Sequence, residues 1–302
     1  MLRSSNLQTL AIFQRKCLRG ILGLSKTSSI PALHFLLGEL PIEAQYHMDI
    51  FSLFYSIWIN PDSQINRVVK FILQSSKPNS RTWSIFIRHL CMKYELPDPL
   101  ESLESDPSKK SQYKELIKTK IIAFHEKQLR EQASANSKMT YLNVSLTSIR
   151  RGCHPVISNV VSTHEVKKSR SHLKMLSGDY FTYSIKAKQS GGSPCCRLCP
   201  SELDKAEDIE YIITSCTAYK EIRNRILIEY QEILKKHKNP LLPHTYSDQV
   251  LCQFILDPSS INLHQRISSN SQLFTDLIKI SRDFCFAIHS RRIKLLKSMQ
   301  LK

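Results

Sequence analysis

A chain of 302 residues with 41% hydrophobic content is long enough for two modules with cores of their own and too apolar for wholesale disorder. Its 43 Lys and Arg against 26 Asp and Glu leave a formal charge of +17, a surplus that repels itself unless an anionic partner neutralises it, and nucleic acid is the commonest such partner. No stretch of about 18 uninterrupted apolar residues occurs, and the N-terminus lacks an apolar run followed by small cleavage-site residues, so neither a membrane span nor a secretory signal is expected and the setting is intracellular, nuclear or cytoplasmic.

The charge surplus is uneven along the chain. No acid precedes Glu39, whereas Arg3, Arg15, Lys16, Arg19 and Lys26 all fall in that stretch. A second run holds Arg150, Arg151, Lys167, Lys168, Arg170 and Lys174 with Glu165 as its acid, and a third comprises Arg291, Arg292, Lys294 and Lys297. Any one run serves equally well as a solubilising surface. Three in one chain favour phosphate contact, with Arg15, Lys16 and Arg19 and the Arg150-to-Lys174 run as the candidate nucleic-acid-binding residues.

In chain order, Leu10, Phe13, Cys17, Ile21 and Leu24 recur at spacings of three and four and predict a helix that Ser25 and Pro31 end. Pro41 suits the first turn of a second helix with Tyr46, Ile50, Leu53, Phe54, Ile57 and Trp58 on its apolar face. Amphipathic stretches follow from Ile65 to Leu73 and from Trp83 to Tyr94. From Pro97 to Lys110 prolines, serines and acids dominate, a composition that predicts a linker. Tyr113, Leu116, Ile117, Ile121 and Phe124 then mark a long helix. Residues 139 to 163, with Tyr141, Val144, Val156, Ile157, Val160 and Val161, are rich in β-branched side chains and are expected to hold short strands.

After the Gly191-Gly192-Ser193-Pro194 turn and a cluster of cysteines, Tyr219, Ile222, Ile226, Tyr230 and Ile233 form one helical stripe and Leu273, Leu277, Ile280, Phe284 and Ile288 another. The expected architecture is therefore mainly α. Its expected segments are a helical part over 1–96, a linker over 97–110, a helical or mixed connector over 111–190, and a cysteine module with C-terminal helices over 191–302.

Cys196 and Cys199, two residues apart, can be aimed by one tight turn at a tetrahedral metal, and Cys216 follows after a short insert. A knuckle-type zinc site normally takes a His a few residues before its last Cys, but Tyr211 stands there, and a phenol is not a normal zinc ligand. Cys195 is adjacent and could substitute, although consecutive cysteines seldom point the same way. The alternatives are a zinc site, a reduced metal-free turn and a redox pair, the last lacking the surrounding βαβ pattern. The nine cysteines, an odd number scattered over a long chain, argue against a disulfide framework in a reducing compartment. With seven glycines and no glycine-rich loop, nucleotide cradles are not expected, nor does an adjacent Asp pair in a strand context suggest metal-assisted polymerisation.

Several phrases resemble the region downstream of the polymerase in LINE-type, Jockey-like non-LTR retrotransposon reverse transcriptases. They are FQRKCLRGILGLSKTSSIPALHFLLGELPIEAQYHMDIFSLFYSIW near the start, then SRSHLKMLSGDYFTY, GGSPCCRLC and EDIEYIITSC, and finally LCQFILDPSSINL and SRDFCFAIHSRRIKLLK. The first is similar to the helices just after the palm, giving the helical N-terminal part a thumb-like or connector character; the middle three are similar to the family's C-terminal cysteine module. That module normally reads Cys, Cys, His, Cys, so Cys196, Cys199 and Cys216 match and Tyr211 departs. The resemblance implies a non-catalytic segment, without the palm's Asp pair or the endonuclease, that helps hold RNA or DNA without sequence preference.

Overall fold

A computed structural model of the chain describes residues 4–77, 80–144, 148–149, 152–158, 160, 162–199, 205–237, 247–258 and 271–300. The architecture is mainly α, with no strand among the described residues and one isolated antiparallel bridge between Cys195 and Ala206. The chain forms two compact units: Met1–Cys17 with Glu39–Gln132, and Leu18–Gly38 with Ala133–Lys302. These boundaries cut across the expected segments. Composition marks where helix breakers lie, whereas compact units follow which helices share apolar faces, and α1 (Ser4–Leu22) supplies residues to both.

The first unit is built from α3 (Ile42–Trp58), α4 (Gln64–Ser75), α5 (Trp83–Lys93), α6 (Pro99–Glu104) and most of α7 (Lys110–Ser134). Its core gathers Phe51, Phe54, Tyr55 and Trp58 from α3, Val69 and Leu73 from α4, Ile87 and Leu90 from α5, and Ile117 and Ile121 from α7. Tyr55 and Tyr113 stack with centroids 4.9 Å apart. Helix starts are set by side-chain caps: Ser63 accepts from the Asn66 N–H, and Thr82 from the Ile85 N–H, each satisfying a donor that the first turn leaves without an intrahelical partner.

The expected linker over 97–110 contains a helix. Asp98 caps α6 by accepting from the Leu100 N–H, Pro99 supplies a preset first turn, and Leu103 is buried. The segment is fastened to α3 as well, because the Trp58 indole N–H donates to the Ser105 carbonyl at 3.0 Å and the Tyr55 hydroxyl to that of Ser108 at 2.8 Å.

The second unit contains α2 (Ile30–Leu37), α8 (Pro155–Ser158), α9 (Thr163–Leu176), α10 (Tyr183–Ser190), α11 (Ile209–Thr214), α12 (Lys220–Lys236), α13 (Asp248–Leu256) and α14 (Ser271–Gln300). Helix α14 packs on both α9 and α12, and α11 packs on α13. The predicted stripe Leu273, Leu277, Ile280, Phe284 and Ile288 is buried along its whole length. A reciprocal capping box of Ser162 and Glu165 starts α9.

Four expectations need correction. Pro31 lies in the first turn of α2 and so opens a helix, while α1 ends at Gly23, whose φ of +66° suits glycine. The described residues of 139–163 hold no strand: Ser137–Met139 is a 3-10 turn and Pro155–Ser158 is helical, because Pro155 presets the first turn and the His154 ring accepts from the Val156 N–H. Val161 of that prediction lies outside the described residues. On α1 the apolar stripe faces water at Leu10, Phe13 and Ile21, and Leu18 and Leu22 are the buried positions. The third basic run also loses a member, since Arg292 is buried while Arg291, Lys294 and Lys297 are exposed.

Candidate metal centre and basic face

The turn at Gly191 and Gly192, with φ of +74° and +98°, requires backbone that side chains with a Cβ rarely adopt. It brings the chain round so that Cys195 pairs with Ala206 and the Glu207 N–H donates to the Pro194 carbonyl at 2.8 Å. The intervening loop is thereby closed at its base and carries Cys196 and Cys199. Asp208 then caps α11 by accepting from the Tyr211 N–H at 2.8 Å, and the Cys216 N–H returns to the Tyr211 carbonyl at 2.8 Å. This short helix sets Tyr211 and Cys216 against the loop.

All three sulfurs, of Cys196, Cys199 and Cys216, lie within 4.8 Å of one another. Cys216 stands 3.9 Å from Cys196 and 3.6 Å from Cys199. Among the described residues this is the one group of three or more His, Cys, Asp or Glu side chains with metal-ligating spacing, and it can hold a metal ion. Cys199 and Cys216 are buried, and Cys196 is half-buried. Cys195 is half-buried and does not join the group.

Tyr211 adjoins the group at Cys199. Its hydroxyl is hydrogen-bonded to the Cys199 sulfur at 2.8 Å, and burial together with that bond pushes the phenol upward from its ordinary pKa, so it keeps its proton. The Cys216 thiol beside Cys196, and then burial, push the Cys196 thiol up as well. The pocket is a packed, hydrogen-bonded turn. A thiophilic ion would displace the thiol protons, since metal ligation takes thiolates.

Buried charges to which the sequence alone assigned no part in this pocket hold it in place. The Arg223 guanidinium donates to the Cys216 carbonyl at 2.6 Å and to that of Ile213 at 3.3 Å, satisfying acceptors at the end of α11. Glu207, fully buried, accepts two hydrogen bonds from Arg292 of α14 at 2.6 and 2.9 Å and one from the Tyr183 N–H at 2.9 Å. Arg292 and Arg197 also approach the Tyr183 ring, at 5.6 and 5.2 Å from its centroid. The signal for Arg292 was available: it continues Phe284 and Ile288 at a spacing of four along the buried stripe.

In the same unit several cations surround the turn after α1. The Arg170 side chain lies over Gly23 so closely that a Cβ there would stand 2.6 Å from its Cδ. Arg19 donates to the Ser28 carbonyl at 3.2 Å, and the Lys138 ammonium is 3.5 Å from the Thr27 carbonyl. Lys26 is exposed on the same turn. Asp179 braces the turn from below, accepting from the Ser25 N–H at 2.6 Å and from the Ser25 and Ser28 hydroxyls at 2.5 and 2.9 Å. Among the described residues, Arg19, Lys26, Lys138 and Arg170 form no ion pair.

The other candidates divide. Lys167 is exposed and Lys174 half-buried, both on the side of α9 that carries Arg170, whereas Lys168 turns toward α14 and pairs with Asp283 at 2.5 Å. In the first unit Lys16 is exposed, and the half-buried Arg15 bonds back to the Ala11 carbonyl of its own helix at 3.0 Å. Arg3, Arg150 and Arg151 lie outside the described residues.

Comparison with family models, with curated proteins and with solved structures finds no match.

Proposed function

We propose that this chain is a non-catalytic segment of retroelement origin that binds single-stranded RNA or DNA without sequence preference. The observation that carries the binding reading is the gathering of Arg19, Lys26, Lys138 and Arg170 around one braced turn with no acid paired to them among the described residues. Lys26 and Arg170 are exposed and Arg19 and Lys138 half-buried, and phosphate contact by such cations supplies affinity without reading bases. The retroelement origin rests on the phrases shared with the post-polymerase region of Jockey-like elements, which also imply zinc at Cys196, Cys199 and Cys216. That family keeps its polymerase carboxylates in a separate palm, so no catalysis is assigned to this segment, and its setting is intracellular. Among the described residues no helix is long and apolar enough to cross a membrane.

Fluorescence anisotropy with single-stranded oligonucleotides across a salt series tests this. Affinity should fall steeply with salt, and the joint Lys138→Glu and Arg170→Glu substitution should flatten the slope of log K against log salt by roughly 1.4, about 0.7 for each phosphate no longer neutralised. Binding that ignores salt, or no binding at low salt, would remove the reading.

A second reading, a helical protein-interaction module or a relic of the element without a role, draws on the first unit. There a groove of about 780 Å³ is lined by Leu53, Ile57, Ile59, Ile65 and Trp83. Co-purifying protein that survives nuclease treatment would favour the module.

A further inference from the structure

The donor set at Cys196, Cys199 and Cys216 departs from what zinc asks of a structural site. Zinc in such sites is four-coordinate, and its four protein ligands close the shell. Three sulfurs here lie within 4.8 Å of one another, and two of the separations, 3.6 and 3.9 Å, suit metal–sulfur bonds of ordinary length. No fourth His, Cys, Asp or Glu joins them among the described residues, and the side chain beside Cys199 is Tyr211, its hydroxyl 2.8 Å from that sulfur and buried with it. A phenol is not a normal zinc ligand, and at this distance the hydroxyl can donate to the Cys199 sulfur.

Soft thiolate donors select soft ions such as copper(I), which three sulfurs satisfy with no fourth ligand. We propose that this cluster is a three-coordinate trithiolate site that takes copper(I) in preference to zinc, with Tyr211 acting beside the ion as a hydrogen-bond donor to Cys199. The inference rests on the reading of the cluster as a metal site and departs from it only in the ion chosen. Binding one copper(I) to three thiols releases three protons to solvent and leaves two net negative charges on the complex. The environment answers that charge. Arg223 holds its guanidinium against the Cys216 carbonyl at 2.6 Å, and the Tyr211 hydroxyl adds a donor on the sulfur side. Hydrogen bonds of this kind around a site typically change metal affinity by about 10–100-fold when removed.

The test uses the full chain, reduced and kept anaerobic, with Cys17, Cys153 and Cys195 changed to Ser so that thiols outside the cluster do not compete for copper. Copper(I) is supplied from an acetonitrile complex and titrated against a bathocuproine chelator, and zinc(II) is titrated against a chromophoric zinc chelator. The expected result is one copper(I) per chain, displacement of bound zinc by one equivalent of copper(I), and loss of stoichiometric binding in Cys216→Ser. Tyr211→Phe should keep the copper stoichiometry while weakening its affinity about tenfold or more. Tyr211→His should raise zinc affinity at least about tenfold by restoring a fourth ligand.

Far-UV circular dichroism on each variant shows whether it folds; should Cys216→Ser fail to fold, Cys196→Ser at the half-buried position replaces it. Zinc that one equivalent of copper(I) does not displace, or cobalt(II) substitution giving tetrahedral bands in the parent and none in Tyr211→Phe, overturns the proposal and leaves the metal-site reading standing. Failure to bind either ion overturns both, and the nucleic-acid reading is judged separately by its salt series.

Discussion

The Tyr211 hydroxyl and the Cys199 sulfur, 2.8 Å apart, close the cysteine pocket from within the chain. Cys199, Tyr211 and Cys216 also belong to the apolar core of the second unit, along with Ile212, Tyr219 and Ile226. A small zinc finger without its metal is unfolded. The expectation here is the opposite: protein stripped with chelator under reducing conditions should keep its helical far-UV spectrum at 25 °C and melt cooperatively. Loss of the helical signal on chelation would show that packing around Tyr211 does not suffice.

Arg292 and Glu207 form a two-pronged pair with both partners buried. Burial lowers the basicity of the guanidinium, and the bond to Glu207 and its charge overturn that, so Arg292 stays charged. Removing one partner of such a pair leaves an uncompensated charge in the interior, which costs about 3–5 kcal/mol. Arg292→Met should therefore lower the urea midpoint sharply. The double variant Arg292→Met with Glu207→Gln should lose less than the two singles combined, and strict additivity would mean the pair is not coupled.

Two buried histidines make stability depend on pH. Burial pushes His172 down to about 4 even though its Nε2–H donates to the Leu256 carbonyl at 2.7 Å. Burial and the nearby Lys93 ammonium push His47, bonded to the Tyr94 hydroxyl, down to about 4 as well. The unfolded chain takes up these protons near pH 6.5 and the folded chain does not, so stability is complete above that value and falls as pH drops toward 4. Each histidine should cost roughly 2–3 kcal/mol at pH 4.5 relative to pH 7.5. Denaturation at the two pH values, repeated with His47→Gln, should show a smaller pH effect in the variant; an unchanged effect would clear His47 of this role.

Gly178 follows α9 with φ of +68°, and a Cβ there would collide with the Lys138 carbonyl. Gly178→Ala should destabilise by at least ~1 kcal/mol from the left-handed backbone alone, with the collision adding to it. Gly20, inside α1 with open space around its Cα, should gain stability from alanine by roughly 0.5–1 kcal/mol, a useful contrast in the same denaturation series.

Ion pairing separates two neighbouring cations of α9. Lys168 is bound to Asp283, whereas Arg170 lies over Gly23 with no acid paired to it among the described residues. Lys168→Ala should leave oligonucleotide affinity within about twofold, and Arg170→Ala should flatten the salt slope by about 0.7. Equal effects from the two would argue that charge sum, and not the braced turn, governs binding.

Period and capping were legible in the sequence; the choice of buried face often was not. On α14 the stripe from Leu273 to Ile288 is wholly buried because the helix packs on both α9 and α12. On α1 two apolar stripes compete, and periodicity alone could not say that Leu18 and Leu22 would turn inward while Phe13 and Ile21 faced water. The linker reading failed because prolines and acids break a helix only in its interior. At Asp98 and Pro99 they begin one. The Cys196, Cys199 and Cys216 grouping followed from spacing, while Glu207 and Arg223 escaped because a charged residue reads as surface until the partner it bonds in the fold is seen.

Glu207 also decides how much of the chain's end is dispensable. A deletion after residue 290 looks like trimming a polar tail, yet it would strip the counter-ion from a fully buried carboxylate that also anchors the Tyr183 N–H and the base of the cysteine loop. The last dozen residues therefore hold a keystone, because a chain cut at residue 290 loses Arg292, the partner of the carboxylate at the base of the cysteine loop.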